Sequence, residues 1–199
     1  MTIAALTLTA IMQRPAPPQP VVPRPAPDFT APTATGEGKS LSSFKGKWLV
    51  LEWWNHECPV VIGHYGSGNM QSVQKKATDM GAQWVAVNSS AVGQQGHVNG
   101  AKALEVMKSG KAAAQHVLLD HDGKVGKAFG ARTTPHMYVI NPEGQIVYEG
   151  AIDSGRTADP SDIAKAENFV LKALNEGMAG KPITTPYSRP YGCSVKYGK

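Results

Sequence analysis

The sequence predicts an α/β fold in which helices flank a central mixed β-sheet, and three observations support this prediction. Residues 48–54 and 82–90 are nearly continuous in apolar residues, as is typical of strands covered on both faces. Segments with the spacing of amphipathic helices alternate with these strands. Near the end of the chain, a hairpin pattern over 135–150 precedes a helix pattern over 159–177.

The composition suits one globular domain with tails, since 41% of the 199 residues are hydrophobic and 18% are charged. We assign this domain to residues 28–177. Residues 14–27 contain seven prolines and form a polyproline linker. Residues 1–13 are apolar and have two interpretations, the remnant of a signal peptide or a disordered tail. Residues 178–199 form a flexible tail rich in Pro, Gly and Tyr.

The first elements of the domain are placed by their apolar residues and by their Pro and Gly residues. A short hairpin or loop through residues 28–47 leads into the strand over 48–54. Pro59 suits a first helical turn, and apolar residues recur at helical spacing from residue 70 onward, so we predict a helix over 60–80. Glycines between residues 63 and 68 weaken the first half of this helix.

The later elements alternate in type and are mostly short. In chain order they are a strand over 82–90, a helix over 101–110, a strand over 116–120, a short helix over 124–130, a hairpin over 135–150 and a helix over 159–177. Glycine ends two of the helix patterns, at residues 110 and 177. A Pro/Gly turn joins the two strands of the hairpin.

The charge and hydropathy patterns exclude several classes of partner. The formal net charge is +5, and residues 178–199 hold four basic residues and no acidic residue. The sequence has no dense Lys/Arg stripe with interleaved aromatic residues, so we predict no nucleic-acid partner. No apolar run approaches the roughly 20 residues of a transmembrane helix, so we predict no membrane span. The segment 1–13 favours export, for example to the periplasm, and a cytoplasmic location is the alternative.

Cys58 stands out as the candidate reactive residue. The chain has only one other cysteine, Cys193, which excludes a disulfide scaffold and offers no spacing for structural zinc. Cys58 ends an apolar strand and precedes Pro59, so it lies where a helix begins. Free N–H groups and the partial positive charge of a helix N-terminus favour the reactive thiolate. The alternative is an inert, buried cysteine that packs as a small hydrophobe.

Two segments around Cys58 and Pro135 resemble proteins of the thioredoxin-like superfamily. The stretch "LVLEWWNHECPVV" resembles the strand, turn and helix start that carry the nucleophilic cysteine, and "ARTTPHMYVINPEGQIVYEG" resembles the loop with a cis-proline and the hairpin after it. "APDF" and "LSSFKGK" are similar to the redoxin branch of AhpC/TSA, peroxiredoxin-like and TlpA-like proteins. The resemblance implies that Thr134 and Pro135 face Cys58, and that Pro135 shields the thiol from metals and shapes the substrate groove.

The sequence departs from these families at positions that matter for chemistry. Val61 replaces the second cysteine of the thioredoxin C-x-x-C pattern, so a local dithiol cycle is excluded. Leu51 and Asn55 replace the proline and threonine of the peroxiredoxin pattern. The active-site arginine of peroxiredoxins aligns with Pro135, and Arg132 lies nearby. Groups that polarise a peroxide are therefore incomplete, which puts efficient peroxide reduction in doubt.

Cys193 and Glu52 are the other candidate catalytic residues. A tail carries a thiol to a distant site at modest entropic cost, so Cys193 is a candidate resolving thiol for Cys58, and a static disulfide or an unrelated tail cysteine are the alternatives. Glu52 lies in an apolar strand six residues before Cys58. A buried carboxyl has a raised pKa and suits proton transfer, whereas a polar pocket or an ion pair with a lysine such as Lys45 or Lys47 is the structural alternative.

The leading functional hypothesis is a thiol-dependent oxidoreductase, either a peroxiredoxin-like antioxidant or a thiol–disulfide exchange protein. Its substrate would be a peroxide or a disulfide of a protein or small molecule, and its reductant a thiol such as a thioredoxin-type protein. We predict no cofactor and no metal, although His56, His64 and His136 make a thiolate–imidazole copper site an alternative. The competing class is a binding or scaffold module that keeps the fold without catalysis.

Overall fold

The computed structural model describes residues 22–198, and its regular elements follow the order predicted for the domain. The strands are β1 (Arg24–Pro25), β2 (Thr30–Pro32), β3 (Gly38–Ser40), β4 (Leu49–Trp53), β5 (Gln83–Asn88), β6 (His116–Leu119), β7 (Thr133–Thr134), β8 (His136–Ile140), β9 (Gln145–Gly150) and β10 (Cys193–Ser194). The helices are α1 (Pro59–Gly66), α2 (Asn69–Asp79), α3 (Gly100–Ser109), α4 (Lys124–Phe129), α5 (Pro160–Ile163) and α6 (Phe169–Met178). The predictions for residues 1–13 and for the start of the linker at 14–27 lie outside the described residues.

A six-stranded sheet in the order β1-β9-β8-β4-β5-β6 forms the centre of the domain. β4 pairs in parallel with β5 and antiparallel with β8, so the sheet is mixed, as predicted. Side chains along β4 alternate between the two apolar clusters that cover the sheet. Leu51 and Trp53 pack in one cluster, and Val50 packs in the other with Trp84. Every residue of β4 is buried, which explains its nearly continuous apolar sequence.

The predicted helix over 60–80 is wrong as a single element, because the structure divides it into α1 and α2. α1 ends at Gly66, and Gly68 adopts a left-handed backbone with φ of +75° before α2 begins. Glycine adopts this conformation without steric cost, whereas a helix cannot continue through it. The glycines that weaken the helix pattern therefore mark a break.

The predicted helix over 159–177 is also interrupted. The short α5 ends at Ile163, and α6 begins only at Phe169. The side chain of Asn168 accepts a hydrogen bond from the amide of Leu171 at 2.8 Å and caps α6. The backbone before and at the start of α6 bonds to the loop after β9, with Ser154 N to Glu167 O and Phe169 N to Ile152 O both at 3.0 Å. These tertiary hydrogen bonds replace the helical ones that the periodic sequence favours.

Both segments that flank the domain join it more closely than the sequence predicts. The end of the linker forms β1, which pairs with β9 at the sheet edge, and Arg24 forms an ion pair with Glu149. The tail is docked rather than flexible over its last part. β10 pairs with β7, and Tyr197 donates to the carbonyl of Ala131 at 2.8 Å. Within residues 22–198, no helix is long and apolar enough to cross a membrane.

Candidate active site at Cys58

Cys58 lies at the N-terminus of α1, as predicted. It is the residue before the first helical turn, Pro59 occupies that turn, and the Cys58 carbonyl accepts a hydrogen bond from Ile62 N at 2.8 Å. The Cys58 side chain has no exposed surface. Its Sγ donates to the backbone carbonyl oxygen of Thr134 at 3.0 Å. The helix start therefore points the thiol at the loop between β7 and β8.

This loop contains the Thr134–Pro135 peptide bond, which is cis in the structure. Thr134 is 3% exposed, and its hydroxyl Oγ1 has no hydrogen-bond partner among the described residues. The hydroxyl proton is therefore available to an acceptor that forms at the site, and a Cys58 thiolate is such an acceptor. The geometry brings Thr134 and Cys58 together, in agreement with the arrangement that the family resemblance implies.

The tail delivers Cys193 to the same loop. β10 runs antiparallel to β7, and Cys193 is the register partner of Thr134, whose carbonyl contacts Cys58. Cys193 also packs against the apolar cluster that contains Cys58. Both cysteines are free thiols. Two cysteines that are 135 residues apart in sequence thus both lie beside Thr134.

The two thiols are electrostatically unequal. Burial opposes ionisation of Cys58, but the Thr134 hydroxyl, the Val61 amide at the helix start and the Cys193 thiol stabilise the thiolate, so the pKa of Cys58 lies below its usual range. Burial and the neighbouring Cys58 sulfur raise the pKa of Cys193 to about 11. Cys58 is therefore the more acidic thiol of the pair, and Cys193 is the thiol that retains its proton more strongly.

Glu52 lies in β4 and has no exposed surface. Its carboxylate accepts hydrogen bonds from Trp84 Nε1 at 2.8 Å, Gln74 Nε2 at 3.1 Å and Tyr65 Oη at 3.1 Å. Desolvation outweighs these three donors and raises the pKa of Glu52 to about 7. The alternative of an ion pair with Lys45 or Lys47 is wrong, because the carboxylate partners are neutral, and the carboxylate lies instead in a polar pocket, the other alternative. Tyr65 connects Glu52 to α1, the helix that begins at Cys58.

The three histidines considered for a metal site lie in different surroundings. The ring of His56 packs on Trp54, with centroids 5.6 Å apart. His64 bonds to Tyr191, and Nδ1 of His136 lies 3.3 Å from the hydroxyl of Tyr138. Among the described residues, no group of three or more His, Cys, Asp and Glu side chains is arranged to hold a metal ion. The structure therefore does not unite them around Cys58.

Asn55 stands where peroxiredoxins have their active-site threonine, and Arg132 lies near the position of their arginine. Both side chains contact residues other than Cys58. Asn55 Nδ2 donates to Gln95 Oε1 at 3.0 Å, and its Oδ1 accepts from the Glu57 amide at 2.9 Å, so Asn55 holds the turn before Cys58. The guanidinium of Arg132 lies 3.5 Å from the hydroxyl of Tyr187. Neither side chain takes the place of the missing peroxide-polarising groups.

An apolar groove of about 410 Å³ opens beside the Cys58 turn. Trp54, His56 and Val61 from the turn and α1 form one wall, and Met107 of α3 lies on the other side. Cys58 is not part of the lining, and its sulfur points toward Thr134 instead. A substrate of more than a few atoms therefore reaches the sulfur only when the tail or the turn moves.

Sequence reasoning missed the polar residues that support the site. Gln74 and Trp84 bond to Glu52, and Tyr191 in the tail bonds to His64. These residues come from different elements, so their convergence has no local sequence pattern. The only available signal is Tyr191 itself, a bulky residue next to glycine and two positions before Cys193.

We expect Thr134→Val to raise the pKa of Cys58, because it removes the hydroxyl that stabilises the thiolate while keeping the side-chain shape. Alkylation of Cys58 by iodoacetamide at neutral pH should slow about tenfold, since a hydrogen bond to a charged group is lost. The measurement uses a Cys193→Ser background, so that the alkylation rate reports on Cys58 alone. Thr133→Val is the control, because the Thr133 hydroxyl bonds to Pro135 O at 3.0 Å. Equal rates in the two variants would contradict the role of Thr134.

The architecture and the placement of Cys58 define a protein with a thioredoxin-like fold. The model of the AhpC/TSA family matches residues 22–149, and the chain belongs to this family. The resemblance to the redoxin branch is thereby confirmed. The chain is also 28% identical over 129 residues to the thiol-disulfide oxidoreductase ResA of Bacillus subtilis, an alignment that covers 61% of this chain and 63% of ResA. The match thus spans less than two thirds of that relative.

Solved structures support the fold. A hypothetical protein of Sinorhizobium meliloti superposes with a TM-score of 0.76 at 21% identity, covering 91% of this chain and 97% of its own. The thioredoxin domain of a thiol-disulfide oxidoreductase of Bacteroides vulgatus superposes with a TM-score of 0.52 at 21% identity, covering 66% of this chain and 89% of its own. The first match extends over nearly the whole chain, whereas the second covers the thioredoxin-like part.

Proposed function

We propose that the protein is a thiol oxidoreductase in which Cys58 is the nucleophile and Cys193 the resolving thiol. One observation carries the proposal: Cys193 pairs with Thr134, whose carbonyl oxygen lies 3.0 Å from the Cys58 sulfur. A tail cysteine docked at this place supplies the second thiol that Val61 cannot supply. The unequal ionisation of the two thiols assigns the attacking role to Cys58.

With a disulfide substrate, the cycle has two exchange steps. The Cys58 thiolate attacks one sulfur of the substrate, a mixed disulfide forms, and the other substrate sulfur leaves as a thiolate. Cys193 then loses its proton and attacks the Cys58 sulfur, which releases the second substrate thiolate. The substrate gains two electrons, and the protein holds a Cys58–Cys193 disulfide. An external dithiol, such as a thioredoxin-type protein, returns it to the reduced form.

We favour disulfides over peroxides as substrates, because Asn55 and Arg132 are engaged in other contacts and do not reach the Cys58 sulfur. The relationship to ResA, a thiol-disulfide oxidoreductase, supports the same choice.

Peroxide reduction is the second candidate function, and the complete burial of Cys58 favours it, since a small oxidant needs less movement of the tail. In that reaction Cys58 attacks the O–O bond and becomes a sulfenic acid, and an alcohol or water leaves. Cys193 then displaces water from the Cys58 sulfur and forms the same disulfide. An antioxidant role belongs to this candidate alone, and an extracytoplasmic location is compatible with both.

The test exposes the reduced protein to oxidised glutathione and to hydrogen peroxide, followed by an acid quench and peptide mapping. In the wild type, we expect a Cys58–Cys193 disulfide as the main product, formed faster with oxidised glutathione than with peroxide. In Cys193→Ser, a glutathione adduct should accumulate on Cys58, because no second thiol releases it. In Cys58→Ser, the matched control, the remaining thiol should react slowly, because burial still opposes ionisation of Cys193.

Three other outcomes decide against parts of this proposal. Faster oxidation by peroxide, with a sulfenic acid on Cys58 in the Cys193→Ser variant, would select the second candidate. A stable adduct on Cys58 in the wild type, without a linkage to Cys193, would remove the resolving role. A Cys58 thiol that reacts no faster than an ordinary cysteine would identify a binding or scaffold module instead of an enzyme.

A further inference from the structure

A chain of buried polar side chains links α1 to the tail just before Cys193. Tyr191 Oη lies 3.0 Å from Nε2 of His64 and donates to Oδ1 of Asp153 at 2.7 Å. His64 is 0% exposed, Asp153 is 2% exposed and Tyr191 is 8% exposed. Buried polar groups are costly when they lose their partners, so this cluster fixes the tail at Tyr191.

The direction of the hydrogen bonds follows from the fourth member of the cluster. The side-chain amide of Asn69 lies 2.9 Å from Nδ1 of His64, and an amide nitrogen only donates. Nδ1 is therefore the acceptor, and Nε2 carries the proton that it donates to Tyr191. Burial lowers the pKa of His64 and Asp153 opposes this effect, which agrees with a neutral ring at neutral pH.

The position of His64 gives this cluster its significance. His64 lies in the helix that begins at Cys58, and Tyr191 is two residues before Cys193. Cys58 thus lies directly before α1, and His64 on the buried face of the same helix holds the tail at Tyr191. β10 itself has only two residues, and so short a strand pairing contributes little stability alone. Tyr191 anchors the tail before β10, and Val195 and Tyr197 hold it after β10.

We infer that Tyr191, held by His64 and Asp153, is a positioning residue that sets the effective concentration of the Cys193 thiol at Cys58. The inference rests on the proposed function, because positioning matters for chemistry only if the two cysteines react with each other. It adds a role for three residues that take no part in bond making. The hydroxyl of Tyr191 is the critical group, because it joins the other two.

The experiment compares full-length Tyr191→Phe with Tyr187→Phe, a matched tyrosine in the same tail. Equilibration with glutathione redox buffers gives the effective concentration of the Cys58–Cys193 pair. We expect Tyr191→Phe to lower this concentration about tenfold to hundredfold, because His64 and Asp153 each lose a buried partner. Tyr187→Phe removes a hydroxyl whose contact with Arg132 is 3.5 Å long, and should change the value less than about twofold.

Hydrogen exchange of the reduced protein provides a readout that does not depend on thiol chemistry. Val195 N donates to Arg132 O at 3.0 Å in the docked tail. We expect this amide to lose protection in Tyr191→Phe and to keep it in Tyr187→Phe. Asp153→Asn should retain both protection and effective concentration, because an amide oxygen still accepts the Tyr191 proton.

Two results would overturn the inference. Equal effective concentrations and equal exchange in the two tyrosine variants would show that other contacts hold the tail. A lower unfolding midpoint in Tyr191→Phe with an unchanged effective concentration would show that Tyr191 only stabilises the fold. Failure of the proposed function has a different signature, since the wild type would then form no Cys58–Cys193 disulfide while the exchange experiment would still report the docking of the tail.

Discussion

Gly192→Ala is expected to uncouple the two cysteines, with a fall of about a hundredfold in the rate of Cys58–Cys193 disulfide formation. Gly192 has a backbone φ of +119°, which residues other than glycine rarely adopt. A Cβ atom built there lies 2.1 Å from the backbone oxygen of Thr134, the same oxygen that contacts the Cys58 sulfur. Since a backbone atom cannot yield as a flexible side chain does, the β10–β7 pairing must open.

Gly198→Ala is the matched control for this variant. It places the same methyl group in the same tail, where the new Cβ lies 3.4 Å from the side chain of Ala91, an ordinary contact. The measurement follows disulfide formation with oxidised glutathione by rapid quench and peptide mapping. The first reaction of Cys58 with glutathione should continue in Gly192→Ala, so that the mixed disulfide accumulates. Normal disulfide formation in this variant would show that Cys193 reaches Cys58 without the observed docking.

The fold and the position of the candidate nucleophile were predictable because both are encoded locally. β4 is apolar along its whole length because both faces of the sheet are covered, and the order of elements reads directly from such patterns. Cys58 is identified by its place between a strand and a proline that begins a helix. The interruptions at Gly68 and before α6 were harder to place, because glycines only weaken a helix pattern at the first and helical spacing continues across the second.

The docking of the tail was not predictable from the sequence in the same way. Pro- and Gly-rich segments lack periodicity, and their conformation depends on partners that are distant along the chain. Tyr191, for example, is fixed by His64, which lies in α1, and by Asp153, which lies after β9. The sequence indicated that Cys193 was a candidate, but only the three-dimensional arrangement places it at Thr134.

Glu52→Gln is expected to stabilise the protein at high pH while it slows the redox cycle. The pKa of Glu52 is raised from 4.5 to about 7 in the folded protein, so the folded chain keeps a proton that the unfolded chain releases between these values. The contribution of Glu52 to stability is therefore fully present below about pH 4.5 and is lost as pH rises through about 7. The loss amounts to about 3 kcal/mol, since one pKa unit corresponds to about 1.4 kcal/mol.

Glutamine resembles the protonated carboxyl, which carries no charge and still accepts from Trp84 and Gln74. The free energy of unfolding of Glu52→Gln should therefore be close to that of the wild type near pH 4.5. At pH 9 the variant should be more stable by about 3 kcal/mol. Urea unfolding at several pH values measures this difference. Glu143→Gln, which replaces an exposed carboxyl, is the control and should show no such increase. A constant difference across pH would mean that the pKa of Glu52 is not raised in the folded protein.

The effect on chemistry has the opposite sign, and this contrast separates a catalytic role from a structural one. Burial raises the pKa of Cys193, so its attack on the Cys58 sulfur at neutral pH requires a base. A buried carboxyl with a pKa of about 7 that is linked to α1 through Tyr65 suits proton transfer at neutral pH, and its loss should slow resolution of the mixed disulfide about tenfold or more. If Glu52→Gln is more stable and resolves at the wild-type rate across the pH range, Glu52 has no part in proton transfer. If it is more stable and resolves the mixed disulfide more slowly only above pH 7, the buried carboxylate of Glu52 destabilises the fold and serves as a base beside the helix that carries Cys58.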